Sequence, residues 1–337
     1  MRIRLATAWT CIACAHTAMG AAYPQAATET VLHSFGYYTQ GANPFASLYR
    51  SASGTFYGTT YNGGPAYEGV VFEYSSAGYK VVYGFKGGTD GANPYAAVTQ
   101  DSAGNLYGTT YGGGASSAGV VYKIDPSGQE TVLYTFTSGA DGGYPYAGVI
   151  VDSSGNLYGT TYGGGLTSCT GGCGVVYEIS PSGQETVLHS FTGGTDGGSP
   201  YGGVISDTSG NLYGTTYMGG ANYSGVIYEL STTGQETVLY AFVAGYGAPM
   251  SGVVRDAAGN LYGATGNVAY QLSPGGEYKA LGYLLGKPGG DGSMGSVALD
   301  GEGNLWGTTE PPKSGQNEQT PYGSVYKIDT AGTLTVV

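Results

Sequence analysis

Gly155-Asn156-Leu157-Tyr158-Gly159-Thr160-Thr161 decides the fold, because the same phrase returns along the chain. Copies begin at Gly54 (as Gly-Thr-Phe-Tyr-Gly-Thr-Thr), Gly104, Gly155, Gly210, Gly259 (with Ala264) and Gly303 (with Trp306), at successive offsets of 50, 51, 55, 49 and 44 residues. A period of this size signals stacked or circular units that are each too small to bury their own faces. Every copy is followed by a Gly-Val-Val-Tyr-like segment: Val70 to Tyr74, Val120 to Ile124, Val175 to Ile179, Val226 to Leu230, Val268 to Leu272 and Val325 to Ile328. The longest offset, 55, contains an insertion around Cys169 and Cys173.

Within one unit the punctuation leaves four short segments, for example 148–151, 156–162, 175–179 and 185–191. They are rich in Val, Ile, Tyr, Thr and Phe and are separated by Asp-Ser-Ser-Gly, Gly-rich and Ser-Pro-Ser-Gly turns, which reads as strand. No apolar stripe with a 3.6-residue period runs long enough for a helix. Four consecutive antiparallel strands per unit, six times over, predict an all-β six-bladed β-propeller of about 50 residues per blade. The glycine of Tyr-Gly-Thr-Thr is expected to leave room for a ring from the neighbouring blade, one of the tyrosines at Tyr107, Tyr158 and Tyr213. Six copies of the first three strands face seven candidates for the fourth. Glu29 to Phe35 and Leu334 to Val337 compete for the outer edge of the last blade, and the N-terminal strand is expected to take it.

Composition agrees with a folded chain. Of 337 residues 65 are Gly, without the three-residue period of collagen, and 33 are Tyr; 41% are hydrophobic, too many for a disordered segment. The formal charge of −12 argues against nucleic acid and anionic membranes, which need clustered Lys and Arg. Residues 1–22 read as an export signal: Met1-Arg2-Ile3-Arg4 is the basic start, Leu5 to Ala18 is mostly apolar, and Gly20-Ala21-Ala22 offers small residues for cleavage. Cleavage at Cys14 as a lipoprotein is the weaker alternative, since Cys11 stands where a large aliphatic is expected. The expected organisation is thus a signal peptide over 1–22, a short segment over 23–28 and one propeller over 29–337, with no transmembrane segment after cleavage. Cys169 and Cys173 then remain, and in an oxidising compartment a disulfide that staples a loop is the natural reading.

The phrases Gly-Asn-Leu-Tyr-Gly-Thr-Thr-Tyr-Gly-Gly-Gly, Gly-Val-Val-Tyr and Gly-Gln-Glu-Thr-Val-Leu resemble the GloVer tandem repeat of bacterial exported and surface proteins, over Glu29 to Val337. The resemblance implies an exported repeat array without an assigned enzymatic activity. The strand, Asp-x-x-Gly-Asn, strand rhythm is also loosely similar to NHL-type blades.

Tight turns punctuate one end of each blade, whereas long Gly-rich loops stand at the other, which is the end expected to carry a ligand. Its regular constellation is Asp-Gly-x-x-Pro-Tyr: Asp90 with Tyr95, Asp141 with Tyr146, Asp196 with Tyr201, and a degenerate copy at Asp291. Tyr111, Tyr162 and Tyr217 follow the second strand at the same end. These rings could stack on polysaccharide; as structure, Asp before Gly is ordinary turn chemistry and tyrosines fill layers between blades. The second Asp family, Asp101, Asp152, Asp207, Asp256 and Asp300, is read as turn chemistry, with Arg50 at the corresponding place in blade one. His33 and His189 occupy equivalent strand positions, and neither a nucleophile elbow nor a His-Glu-x-x-His exists. The expected function is a non-catalytic binding or cell-surface scaffold module for polysaccharide or a surface protein. A ligand-free spacer and an extracellular propeller hydrolase or lyase are the alternatives. No catalytic residue, cofactor or metal is expected, and a monomer is.

Overall fold

The computed structural model describes residues 2–6, 29–36, 39–284, 293, 295–309 and 323–337. Over these it is an all-β propeller of six four-stranded antiparallel sheets, each in simple sequential order. One 3-10 turn at Gly88–Asp90 is the sole helical element among the described residues.

Blade three shows the plan: inner strand Ile150–Val151, then Leu157–Thr161, Val175–Ile179 and the outer strand Glu185–Ser190. The inner strand carries only two ladder residues, because beyond it the hub closes in. A Cβ on Gly148 would lie 2.4 Å from the Ala97 carbonyl oxygen of blade two, and one on Gly202 would lie 2.1 Å from the Gly252 nitrogen. Small residues are therefore demanded where the blades converge. The first threonine after Tyr-Gly then ties each of blades one to four to the next. Thr59, Thr109, Thr160 and Thr215 donate their hydroxyls to the carbonyls of Ala96, Ala147, Gly202 and Ser251 at 2.9, 2.8, 3.0 and 2.7 Å.

The core lies between blades. The aliphatic-aliphatic-aromatic run of the third strand is fully buried in blades one to five, as in Val175, Val176 and Tyr177, and in blades two to five a phenylalanine just past the preceding blade's outer strand closes over the ring. Phe85 meets Tyr122 at 5.0 Å, Phe136 meets Tyr177 at 5.1 Å and Phe191 meets Tyr228 at 5.2 Å, all in tilted or edge-on geometry. The glycine of Tyr-Gly-Thr-Thr does make room for a ring, but the ring comes from the same blade. Gly159 pairs directly with Tyr177, and a Cβ there would stand 2.4 Å from the Tyr177 hydroxyl. The expected neighbours Tyr107, Tyr158 and Tyr213 instead hydrogen-bond the turn aspartates Asp101, Asp152 and Asp207 at 3.0, 3.2 and 3.2 Å.

Those aspartates build the tight turns. Asp152 accepts from the Ser154 and Asn156 backbone N–H groups and from the Asn156 side chain. In blade one the equivalent residue is Ser51, not Arg50: the Ser51 hydroxyl accepts from the Thr55 N–H, and Arg50 ends the inner strand. The outer edge of blade six also differs from expectation. Leu334–Val336 pairs with Val325–Ile328 there, while Glu29–Ser34 pairs with Arg2–Ala6. Among the described residues no helix is long and apolar enough to cross a membrane.

Candidate functional site

The loop that leaves one blade's outer strand and enters the next blade's inner strand crosses the ring from rim to hub. Its Asp-Gly-x-x-Pro-Tyr motif is therefore pulled apart. Asp90 stays at the rim, accepting from the Tyr83 hydroxyl at 2.6 Å and the Lys86 N–H at 2.7 Å. Asp141 accepts from the Thr137 N–H at 2.8 Å, the Tyr134 hydroxyl at 3.1 Å and the Thr137 hydroxyl. Asp196 takes the Thr192 N–H and hydroxyl and lies 3.6 Å from the His189 imidazole. Each carboxylate folds its own loop back onto the strand just left, so these three residues serve the loop and do not converge on one another. Asp291 lies outside the described residues.

The tyrosines at the other end of the motif do converge. Tyr146 and Tyr201 stack at 4.3 Å near the axis, and Tyr95 meets them edge-on at 5.0 and 6.2 Å. The Tyr201 and Tyr95 hydroxyls are 3.4 Å apart. A second tier surrounds them: Tyr111 and Tyr162 lie 4.9 and 5.3 Å from Tyr146, and Tyr217 lies 6.4 Å from Tyr201. Two members were missed in the sequence, Phe45 and Tyr61. Phe45 is 51% exposed and stacks on Tyr95 at 5.1 Å, and Tyr61 meets Tyr95 edge-on at 5.9 Å. The signal was present, since Asn43-Pro44-Phe45 repeats Asn93-Pro94-Tyr95 and Tyr61 follows Thr59-Thr60 as Tyr111 follows Thr109-Thr110.

Burial first, and then the hydrogen bond to Tyr111, pushes the Tyr146 hydroxyl far above the ordinary phenol range; burial and the Tyr95 hydroxyl do the same to Tyr201. Tyr146 and Tyr201 thus present neutral aromatic faces with hydroxyl handles at any physiological pH. Behind it lies a central cavity of about 660 Å³, to which the segments leading into the inner strands of all six blades contribute. Apart from Phe45, Tyr95, Tyr146 and Tyr201, its wall consists of small or aliphatic residues and threonines, including Ala96, Gly148, Gly202 and Ser251.

Carboxyls with raised affinity for protons stand elsewhere. Burial, reinforced by a rim aspartate, pushes Glu130, Glu185 and Glu236 up to about 7, with Asp90, Asp141 and Asp196 as the respective neighbours. All three begin outer strands, away from the hub. His189 is held below its ordinary value by burial, against the opposing pull of Asp196.

The Cys169–Cys173 disulfide forms as expected, in the loop between the second and third strands of blade three. Ser168 donates to the Thr192 carbonyl at 2.6 Å, and a Cβ on Gly193 would lie 2.4 Å from the Cys169 sulfur. The staple thus holds its loop against the rim-to-hub loop that carries Asp196 and Tyr201. Among the described residues no group of three or more His, Cys, Asp or Glu side chains is arranged to hold a metal ion.

The profile described as the Gloeobacter/Verrucomicrobia repeat matches residues 19–169 and 139–269. No curated protein matches the chain. Among solved structures the chain is similar to virginiamycin B lyase from Staphylococcus aureus, at 15% identity with a TM-score of 0.60, covering 88% of this chain and 84% of that one. It is similar to a gluconolactonase from Xanthomonas campestris, at 13% identity and a TM-score of 0.53 over 89% of this chain and 88% of that one. A bacterial surface component of the type-IX secretion system of Porphyromonas gingivalis matches over 92% of this chain and 43% of its own, with 14% identity and a TM-score of 0.58. Likeness at these identities concerns the fold.

Proposed function

The chain belongs to the Gloeobacter/Verrucomicrobia repeat family, and from that premise we propose that it is an exported binding or cell-surface scaffold module that presents its loop-face aromatic cluster to uncharged polysaccharide. The observation that carries this reading is the contiguous set Phe45, Tyr61, Tyr95, Tyr111, Tyr146, Tyr162, Tyr201 and Tyr217 at the mouth of the central cavity. Sugar rings present C–H faces that stack on aromatic planes, and their hydroxyls pair with phenols, so a half-exposed tyrosine layer suits them. The negative chain charge favours neutral over acidic glycans. Export rests on the basic-apolar-small pattern of residues 1–22.

The rim aspartates Asp90, Asp141 and Asp196 enter this reading as loop supports, and the tyrosines as the contact surface. The test is binding of the protein to a panel of neutral and acidic polysaccharides and envelope fractions, beside a Tyr146→Ala, Tyr201→Ala variant with an unchanged far-ultraviolet spectrum. Saturable binding to neutral glycan, weakened at least tenfold in the variant, is expected. Equal binding by both proteins, or none to any member of the panel, refutes the proposal. The lyase and lactonase activities in the names of two structural neighbours make product release the second readout of the same panel.

A further inference from the structure

Three segments bear on the junction of blades six and one: Arg2–Ala6, Glu29–Ser34 and Leu334–Val336. First, Glu29–Ser34 and the residue after it dock on blade one as an outer strand docks on the blade that follows it. His33 stacks on Tyr79 at 3.8 Å, as Tyr240 stacks on Tyr278 at 4.2 Å, and Phe35 meets Phe72 at 5.1 Å, as Phe136 meets Tyr177 at 5.1 Å. Around the ring, the blade that precedes blade one is blade six. Residues 29–35 also repeat the sequence of residues 185–191.

Second, Arg2–Ala6 pairs with this strand in the register of a third strand. His33 stands opposite Ile3 and Val31 opposite Arg4, so Leu32 is skipped. In blade three His189 stands opposite Val176 and Val187 opposite Tyr177, so Leu188 is skipped, and blades one, two, four and five make the same step. The leader strand therefore occupies the edge of Glu29–Ser34 that a third strand would use.

Third, the junction is unsealed. Thr308 is exposed, whereas its equivalents Thr59, Thr109, Thr160 and Thr215 are at most 1% exposed. Val325 is partly exposed where Val71, Val121 and Val176 are at 0%, and on the facing side Ala46 and Leu48 are more open than Ala96 and Val98. The present occupant of the blade-six edge pairs three residues, and Val336 and Val337 remain 39% and 47% exposed.

We propose that Glu29–Ser34 is an exchangeable fourth strand: Arg2–Ala6 holds it in the full chain, and removal of the leader frees its edge to displace Leu334–Val336 from Val325–Ile328 and so tie blade six to blade one. The gain is a full-length ladder in place of a three-residue one, and burial of Val325 and Leu48 at the closed junction. Export would thereby be coupled to ring closure. The strand would pair Thr30 with Lys327, by the register of Thr186 with Glu178.

The inference rests on reading residues 1–22 as removable, and the test is independent of whether a cell removes them. A full chain with a specific protease site after Ala22 is followed by hydrogen exchange before and after cutting. After the cut, amides of 334–336 should lose protection at least tenfold while those of 29–34 and 325–328 keep theirs. Loss of protection at 29–34, or no change at 334–336, overturns the proposal. A second arm uses Thr30→Cys with Lys327→Cys in a chain whose Cys11 and Cys14 are serine. The crosslink should form mainly after the cut, whereas the Thr335→Cys, Lys327→Cys pair should form mainly before it; the same yields before and after overturn the exchange.

Discussion

Replacing Glu130, Glu185 and Glu236 together by Gln should stabilise the protein at alkaline pH and leave it nearly unchanged in acid. Burial, with Asp90, Asp141 and Asp196 nearby, raises each carboxyl from 4.5 to about 7, and Lys86 offsets only part of this at Glu130. Such a group favours the folded state most while protonated. Its contribution is complete below the unfolded value, is lost as pH rises through 7, and stays lost above. The full shift corresponds to a ceiling of about 3 kcal/mol per group. These side chains are half-exposed, and solvent screening reduces that to about 1 kcal/mol each. Three sites in separate blades then add to about 3 kcal/mol at pH 8. With an unfolding entropy of about 2 cal/mol/K per residue over a domain of this size, the midpoint should rise by about 5 °C. Thermal unfolding followed by circular dichroism at pH 4.5, 6 and 8 measures this directly. A triple variant no more stable than the parent at pH 8, or stabilised equally at pH 4.5, refutes the account.

Gly159→Ala forces a Cβ against the Tyr177 hydroxyl and ring and should cost about 2 kcal/mol, read as a lowered urea midpoint at unchanged slope. Tyr177→Phe removes a buried hydroxyl that reaches no partner among the described residues and copies Phe72 of blade one; stability should rise by about 1 kcal/mol, and a loss of that size would show that the hydroxyl is satisfied. Asp152→Ala removes the acceptor for two backbone N–H groups, Asn156 and Tyr158, at a cost of about 2 kcal/mol at pH 7. Burial works to raise the Asp152 carboxyl, but the bonds from Asn156 and Ser154 win and hold it below the ordinary range. Its share of stability should therefore be present above the unfolded value and vanish as pH falls, so parent and variant converge in acid; a constant gap down to pH 2 would contradict this.

Much of the blade was legible because one period carries all of it. Gly155 to Thr161 and Val175 to Ile179 mark two strands in every unit, and the four-strand count follows from the turns between them. Two features were not legible. Which ring fills the space above Gly159 depends on its cross-strand partner, and pairing Gly159 with Tyr177 is a matter of register that proximity in sequence does not reveal. Asp141 and Tyr146 are five residues apart and look like one constellation, yet the loop between them runs radially, so one ends among outer-strand side chains and the other at the axis. The aromatic cluster was only partly found for a simpler reason. Phe45 and Tyr61 belong to blade one, where Gln40 replaces the motif's Asp and hides the repeat.

The threonine hydroxyls that bond the next blade's carbonyl form a series from blade one to blade five, and the series ends where Ala264 stands in place of threonine. For a molecule pulled along its rim, junctions in series each carry the whole force, so one that lacks this bond yields before those that have it. Blades five and six meet at a built-in tear line. A protein exposed to shear would give way there or at the unsealed junction of blades six and one, sparing the tyrosine layer carried by blades two, three and four; under optical tweezers, Ala264→Thr should raise the force at which blade six parts from blade five, and an unchanged force would show that the threonine bond carries no load there.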